Sequence, residues 1–436
     1  MKGKTPLIAL LFITLVLTAG CSRVRKGSRA PTLISIQLID RNGMTETTRN
    51  KDRLSRYEGV EFLSSQPYQK VTRTFRKEKS GEEKTMLTSY HSNGRLRQYL
   101  EAKEGRAHGL YREWYENGVL KAEASVVEGV ADLTEQAERS WAFDGKTYAW
   151  NEKGGLVALI PYDQGAIDGI ATYYHSNGNL WKIKPFTNNK KEGKEELYSS
   201  DGALLQETFY LNDFKEGPSI RHREEGSLLF NEHYREGLLE SGEYYKINNE
   251  LIAEVAQGAG KRALFNEEGI LTELVEYQQG VPHGTVQLFT EWGELMRSYQ
   301  ITNGLKQGKE IEYIISPFNK KKTTTPPRPK LLLSWHEGML HGPVQSWYPN
   351  GQQESSKEME RNNKQGLAFA WYEDGSLMLA EEYNKELLIR GEYYSNKSKK
   401  PVSTVNEGKG VTTLFDSKGN LLEKIPYDKG LPQLQS

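Results

Sequence analysis

Aromatic and apolar residues recur in this chain at fixed distances from a series of glycines. The glycines are Gly94, Gly118, Gly154, Gly178, Gly202, Gly226, Gly269, Gly293, Gly351, Gly375 and Gly419, and six of the ten intervals are 24 residues. Four places before them, ten of the eleven positions are Tyr, Phe or Trp, as in Tyr90, Trp114 and Trp371, with His222 the exception. Two places after them, ten of the eleven are leucine, and Gln353 is the exception. A third column eight places after holds Tyr162, Phe186, Tyr210, Tyr234, Tyr277, Tyr383 and Tyr427. Self-similarity at a fixed period of this size is the signature of a repeat architecture.

The intervals that depart from 24 keep their phase on either side. Between Gly118 and Gly154 a loop insertion, 130–144, enlarges one connection. Between Gly293 and Gly351 a hidden unit has a tip grown by ten residues, within 316–330. The intervals of 43 and 44 each conceal a shortened unit, beginning Gly242-Glu243-Tyr244-Tyr245 and Gly391-Glu392-Tyr393-Tyr394. About fourteen units result.

The tips read Ser-Asn-Gly, Glu-Asn-Gly, Glu-Glu-Gly or Ser-Lys-Gly. Glu or Lys resists the positive φ that a two-residue type I′ turn requires at its first position. A three-residue loop, a type I turn closed by a left-handed glycine in a bulge, needs only the glycine. It sets the aromatic at minus four across from the leucine at plus two. All three columns have even phase, so period-two alternation predicts that they share one face. A second tight turn lies at plus eleven to plus fifteen, with Gly105/Gly109, Gly165/Gly169, Asn189/Gly193 and Asp213/Gly217. Gly, Asn and Asp tolerate positive φ there. Each unit is therefore two strands and two tight turns. The fold class predicted is all-β: an elongated antiparallel meander of hairpins in a single sheet. About 28 strands exceed the roughly 10 at which open sheets curl or split, so a twisted or curved ribbon is expected.

The segments H-G-L-Y-R-E-W-Y-E-N-G-V-L-K and I-A-T-Y-Y-H-S-N-G-N-L-W-K resemble the variant MORN (membrane occupation and recognition nexus) repeat. The resemblance spans residues 85–430 and implies an elongated β meander. It occurs in bacterial proteins, some of them labelled antitoxins, and related eukaryotic repeats are linked to scaffolding, self-association and phospholipid contact. It carries over no catalytic residue. Residues 31–84 read as an atypical N-terminal cap. Leu33–Ile39 is its first strand, a short helix lies around Thr45–Tyr57, and Gln69–Lys77 is extended.

The chain begins with a targeting segment, 1–21. Lys2 and Lys4 precede the apolar run Leu7–Leu17, which is shorter than the roughly 20 residues a spanning helix needs. Leu17-Thr18-Ala19-Gly20-Cys21 resembles a bacterial lipobox, which implies acylation of Cys21 and anchorage in the cell envelope. In a Gram-negative cell, Ser22 after the cysteine implies the outer membrane. Residues 22–30 are a basic tether suited to anionic headgroups, or simply a solvated linker. Cys21 is the single cysteine, which excludes disulfides, Cys-zinc sites and a Cys nucleophile from the mature chain.

Composition bears on function mainly by exclusion. The 58 basic and 58 acidic residues balance, giving no general attraction to nucleic acid. His108, His283 and His341 share one phase, but units about 10 Å apart cannot converge on a metal. The sequence has no P-loop, HExxH, GxSxG or calcium-loop motif, and no cofactor is expected. Two insertions are candidate partner sites: the loop with Trp141 and Phe143, and the basic tip with Lys320, Lys321 and Lys322. Surface insertions without a role are the competing reading. The function expected is a lipid-anchored, non-enzymatic scaffold with an unknown protein partner and scope for self-association. The alternatives are a module binding peptidoglycan, glycan or phospholipid headgroups, and an antitoxin-like inhibitor, against which export counts. Residues 431–436 form a short tail.

Overall fold

A computed structural model describes residues 31–315 and 327–433. Strands account for nearly all of the regular structure, and every pairing is antiparallel. The described residues form two compact units, 31–109 with 129–140, and 110–128 with 141–433.

In the first unit, β1 (Thr32–Asp40) pairs on one side with β2 (Thr45–Thr48) and on the other with β3 (Gln69–Lys77). β3 pairs in turn with β4 (Glu83–Tyr90), and β4 with β5 (Leu96–Lys103). The helix expected around 45–57 shrinks to α1 (Lys51–Leu54) and a 3-10 turn, Ser55–Tyr57, because Thr45–Thr48 is drawn into the sheet. Asn50 caps α1 through the amides of Asp52 and Arg53. Leu33, Ile36, Leu38, Leu54 and Phe62 form a core beneath this segment. Residues 129–140 pack here too. Arg73 pairs with Asp132 at 3.0 Å, and Gln98 Nε2 donates to Glu138 in α2 (Glu135–Glu138) at 2.7 Å. The sequence logic of an enlarged loop thus acquires a local structural role.

The second unit is a meander of hairpins in which each strand pairs with its chain neighbours. All eleven turn glycines have φ between 76° and 93°, and none of the residues before them has positive φ. The aromatic-to-leucine pairing occurs as expected, from Trp150↔Leu156 through Tyr174↔Leu180 and Phe289↔Leu295 to Phe415↔Leu421. The other turn is of a different type. Both of its central residues have positive φ, as at Gln164/Gly165, Asn188/Asn189 and Lys385/Glu386. Here Gln, Glu, Lys and Arg take the left-handed conformation that the sequence reasoning reserved for Gly, Asn and Asp. Hydrogen bonds between successive turns stabilise it.

Candidate partner-binding faces and two closed turn rings

Successive units are fastened along both edges. On one edge, the side chain preceding the plus-fifteen glycine accepts the first amide of the following I′ turn. Asp168 takes the N–H of Asn188 at 3.0 Å, Glu192 that of Asn212 at 3.0 Å, and Gln307 that of Glu337 at 2.9 Å. Asn189, Asp213 and Asn362 reach back to amides of the preceding turn at 2.7–2.8 Å. On the tip edge, Asn117, Asn177 and Asn350 donate to carbonyls of the next tip, and Tyr115 and Tyr348 do the same through their hydroxyls. A polar turn column thus becomes a ladder that fixes the backbone of one unit on the next.

The expectation that all three columns share one face fails. Hairpin after hairpin carries a second bulge just beyond the tip, although the one joining Leu387–Tyr393 to Ser403–Asn406 has none. Tyr174 pairs with Leu180 but Tyr173 with Lys182, leaving Trp181 unpaired between them. One inserted residue moves everything beyond it to the opposite face. The aromatics at minus four therefore lie with minus six, as when Trp150 stacks on Tyr148 and Trp371 on Phe369, both at 5.8 Å. The aromatics at plus eight lie with plus six and minus seven. Tyr234 donates to Glu232 at 2.7 Å, and Trp335 Nε1 to Glu310 at 2.8 Å. The spine of this second face is the odd-phase minus-seven column: Ala171, Ser219, Val286, Glu310, Val344 and Ala368 are all buried.

That spine is flanked by cations lying over rings. Lys191 Nζ sits 4.3 Å from the Tyr210 ring centre, Lys215 4.5 Å from Tyr234, Lys306 4.9 Å from Trp335 and Lys364 4.6 Å from Tyr383. The lysine is always at plus thirteen, over the plus-eight ring of the next unit. Burial holds Lys215 and Lys182 below the usual lysine range.

Twice in this unit the turns stop stacking in line and close into a ring of three. Gly258 N–H donates to the Glu240 carbonyl at 2.7 Å, Gly280 to that of Gly258 at 2.9 Å, and Leu239 to that of Gly280 at 3.2 Å. The same ring recurs from Gly408 to Ile389, Gly430 to Gly408 and Leu388 to Gly430, at 2.9–3.1 Å. Only glycine fits two of the positions. A Cβ at Gly260 or Gly410 would run into the carbonyl oxygen of Glu254 or Thr404. Inside the first ring Tyr234, Leu239, Tyr244, Ala253, Val255 and Ala263 form a core. Inside the second the core is Ala368, Tyr383, Leu388, Tyr393 and Val405.

The first core contains a carboxylate, Glu232, only 1% exposed. It accepts hydrogen bonds from Tyr234 and Tyr244 at 2.7 and 2.8 Å and pairs with Arg262 Nε at 2.7 Å. Burial and the Glu232 charge push both tyrosine hydroxyls well above their ordinary range. Burial opposes the charge of Arg262, and Glu232 outweighs it, so the guanidinium is held above its usual range. A sealed anion paired with a partly exposed cation, the carboxylate's remaining hydrogen-bond capacity met by two phenols, makes a structural clamp.

A sequence profile of the MORN repeat variant family matches residues 107–127 and 167–188. These are two hairpins whose geometry recurs along the unit. At these two places the chain carries variant MORN repeats. No curated protein matches it. Among solved structures it is similar to a Tc holotoxin pore from Photorhabdus luminescens, at 10% identity over 89% of this chain. It spans 24% of that chain, with a TM-score of 0.13, too low to carry an argument.

Along the hairpin array the sequence-predicted residues fall in different settings. The eleven turn glycines occupy the hairpin tips. Trp141 is 8% exposed and packs edge-on against Tyr111 at 4.9 Å, while Phe143 is half-buried against Tyr162. Cys21, Lys320, Lys321 and Lys322 lie outside the described residues. Among the described residues no group of three His, Cys, Asp or Glu is placed to hold a metal. His108, His283 and His341 occupy the turn-capping column that Asp168, Glu192 and Gln307 fill in other units. Sequence reasoning missed the Glu232–Arg262 clamp and the lysine ladder. A signal existed for the first in the paired G-E-Y-Y segments, 149 residues apart, each followed by a Gly-x-Gly.

Proposed function

We propose that this protein is a non-enzymatic interaction scaffold for a protein partner, tethered to the cell envelope through acylated Cys21. MORN repeats are in general protein- or lipid-binding repeats. The observation that supports the protein reading is a row of apolar side chains directly after the I′ turns. Phe214, Leu238, Val281, Leu305, Leu387 and Leu431 are 38–60% exposed. Each stands at plus twelve, held either by the turn ladder, as Phe214 and Leu305 are, or beside a turn ring, as Leu238, Val281, Leu387 and Leu431 are. Exposed apolar surface arranged this way, rimmed by charged turns, is what a partner covers.

The test is cross-linking and capture of the full-length protein from membranes, wild type against a Phe214→Ser/Leu238→Ser/Leu305→Ser variant. A specific partner lost from the variant is the expected result. A partner retained by the folded variant removes the apolar row from the interface. Cys21→Ser should abolish fatty-acid labelling and move the protein to the soluble fraction; unchanged labelling overturns the tether.

The lysine-over-aromatic ladder on the opposite sheet face favours a second reading, an anionic glycan or phospholipid headgroup as ligand. Saturable binding to cell-wall fragments or anionic vesicles, with no protein captured, would put that reading first.

A further inference from the structure

The two turn rings are copies of one design. Tyr234, Leu239, Tyr244, Gly258, Gly260 and Tyr277 have their equivalents in Tyr383, Leu388, Tyr393, Gly408, Gly410 and Tyr427. Glu381 is the equivalent of Glu232. Its Oε2 accepts from Tyr383 at 3.0 Å and its Oε1 from Tyr393 at 2.7 Å, repeating the two-phenol cradle. The copies part at one residue. Where the first has Arg262, the second has Thr412, whose Oγ1 donates to the Ile425 carbonyl at 3.3 Å. Glu381 forms no ion pair among the described residues, and the nearby Lys364 lies over the Tyr383 ring, 3.4 Å from its hydroxyl. Glu232 is sealed, whereas Glu381 is only half-buried, so solvent reaches it.

A carboxylate offers about four lone-pair sites, and the phenols use two of them. In the first ring the guanidinium fork supplies the rest, Nε to one oxygen at 2.7 Å and Nη2 to the other at 3.3 Å. The second ring holds the same carboxylate in the same orientation, fixed by the same phenols, with no guanidinium from this chain on its remaining lone pairs and with part of its surface exposed.

We propose that the Glu381–Tyr383–Tyr393 cradle is a recognition site for a guanidinium group supplied from outside this chain. Arg262 shows within the molecule which group the cradle takes. A planar fork bridges both carboxylate oxygens where a lysine ammonium addresses one point, so the site selects arginine over lysine. The guanidinium belongs either to a free arginine-like molecule or to an arginine of the partner. The second source deepens the scaffold reading. The site is distinct from the apolar row, so either can fail without the other.

The test titrates the full-length, detergent-solubilised protein with N-acetyl-arginine amide, with an extended arginine-containing peptide and with N-acetyl-lysine amide. The expected result is saturable binding, at least about tenfold stronger for arginine than for lysine, equivalent to about 1.4 kcal/mol. Glu381→Gln should weaken it about tenfold or more. Thr412→Arg should abolish it by supplying the guanidinium from within, and should also raise hydrogen-exchange protection at Gly408 and Gly430. That variant keeps the test decisive if Glu381→Gln unfolds. A peptide bound much more tightly than the amide assigns the site to a partner side chain, and equal affinity assigns it to a small molecule. No saturable binding, equal binding of lysine, or undiminished binding in Thr412→Arg overturns the proposal.

Discussion

Arg262→Ala should open one turn ring and leave its copy closed. Among the described residues the guanidinium is the single cation paired with Glu232, whose carboxylate is 1% exposed. Removing one partner of a buried pair costs about 3–5 kcal/mol, because the other charge stays buried without compensation. Tyr234 and Tyr244 still donate to both oxygens after the change, which places the cost near the lower end, about 3 kcal/mol. Long repeat arrays need not unfold in two states, so a global melt is the wrong assay. Hydrogen exchange read peptide by peptide reports local opening instead. At about 1.4 kcal/mol per decade, protection of the Leu239, Gly258 and Gly280 amides should fall roughly a hundredfold. Leu388, Gly408 and Gly430 make the equivalent bonds with no arginine and serve as a control in the same molecule. Adding Glu232→Gln to the variant removes the stranded charge and should restore more than half of the loss. A fall of less than tenfold, an equal fall in both rings, or no recovery in the double variant would refute the clamp.

Two further predictions concern the backbone and the phenols. Gly293 has φ +85° and open space around it, so Gly293→Ala should cost only the left-handed penalty, roughly 1–2 kcal/mol. Gly410→Ala adds a collision with the Thr404 carbonyl and should exceed about 3 kcal/mol; equal losses of protection in local exchange would sink the close-approach argument. Tyr372 is fully buried and donates to the Tyr394 carbonyl at 2.8 Å; burial, then the charge of Asp416, push its pKa up to about 12. A raised folded pKa gives stability that is complete below the unfolded value near 10 and lost as pH climbs from there to about 12, roughly 3 kcal/mol in all. Urea unfolding followed by exchange at pH 9 to 12 should show that decline flattened in Tyr372→Phe, and an unchanged slope would assign it to other groups.

The period, the tip loop and the aromatic-to-leucine pairing were legible because each depends on a residue type with a local reason to be there. A left-handed glycine ends the tip, and the pairing follows from the loop length. The assignment of faces was not legible. The bulge at plus three, occupied by Trp181 in one unit and Met296 in another, has no preferred residue, yet it reverses every side chain beyond it. The even-phase rule therefore put the plus-eight tyrosines on the wrong side and treated the minus-seven column as surface. The conformation of the second turn was hidden for a related reason. Glu, Gln and Lys adopt positive φ there because the preceding unit supplies a hydrogen-bond acceptor for their amides, information that lies 20 residues away for pairs such as Asp168 and Asn188.

The rings follow from a change of length rather than of chemistry. Gly165, Asn189, Asp213 and Gly237 are 24 residues apart, and each turn donates to a carbonyl two residues beyond the previous one, as Gly237 does to Lys215. The next spacings are 21 and 22, to Gly258 and Gly280. Removing two or three residues shortens the strands that reach the turn edge; Leu251–Ala256 has six residues where Leu228–Arg235 has eight. Shorter strands bring the turns inward, so the third turn returns to the first and its carbonyl meets the Leu239 amide. Convergence leaves no room for a Cβ at Gly260, and it crowds Tyr234, Tyr244 and Glu232 into one space. The buried carboxylate is thus a consequence of closure, and Arg262 answers it. Because Gly408 and Gly430 repeat the spacing of 22, Glu381 inherits the same crowding, and Thr412 leaves its second pair of acceptor sites to whatever donor can reach them.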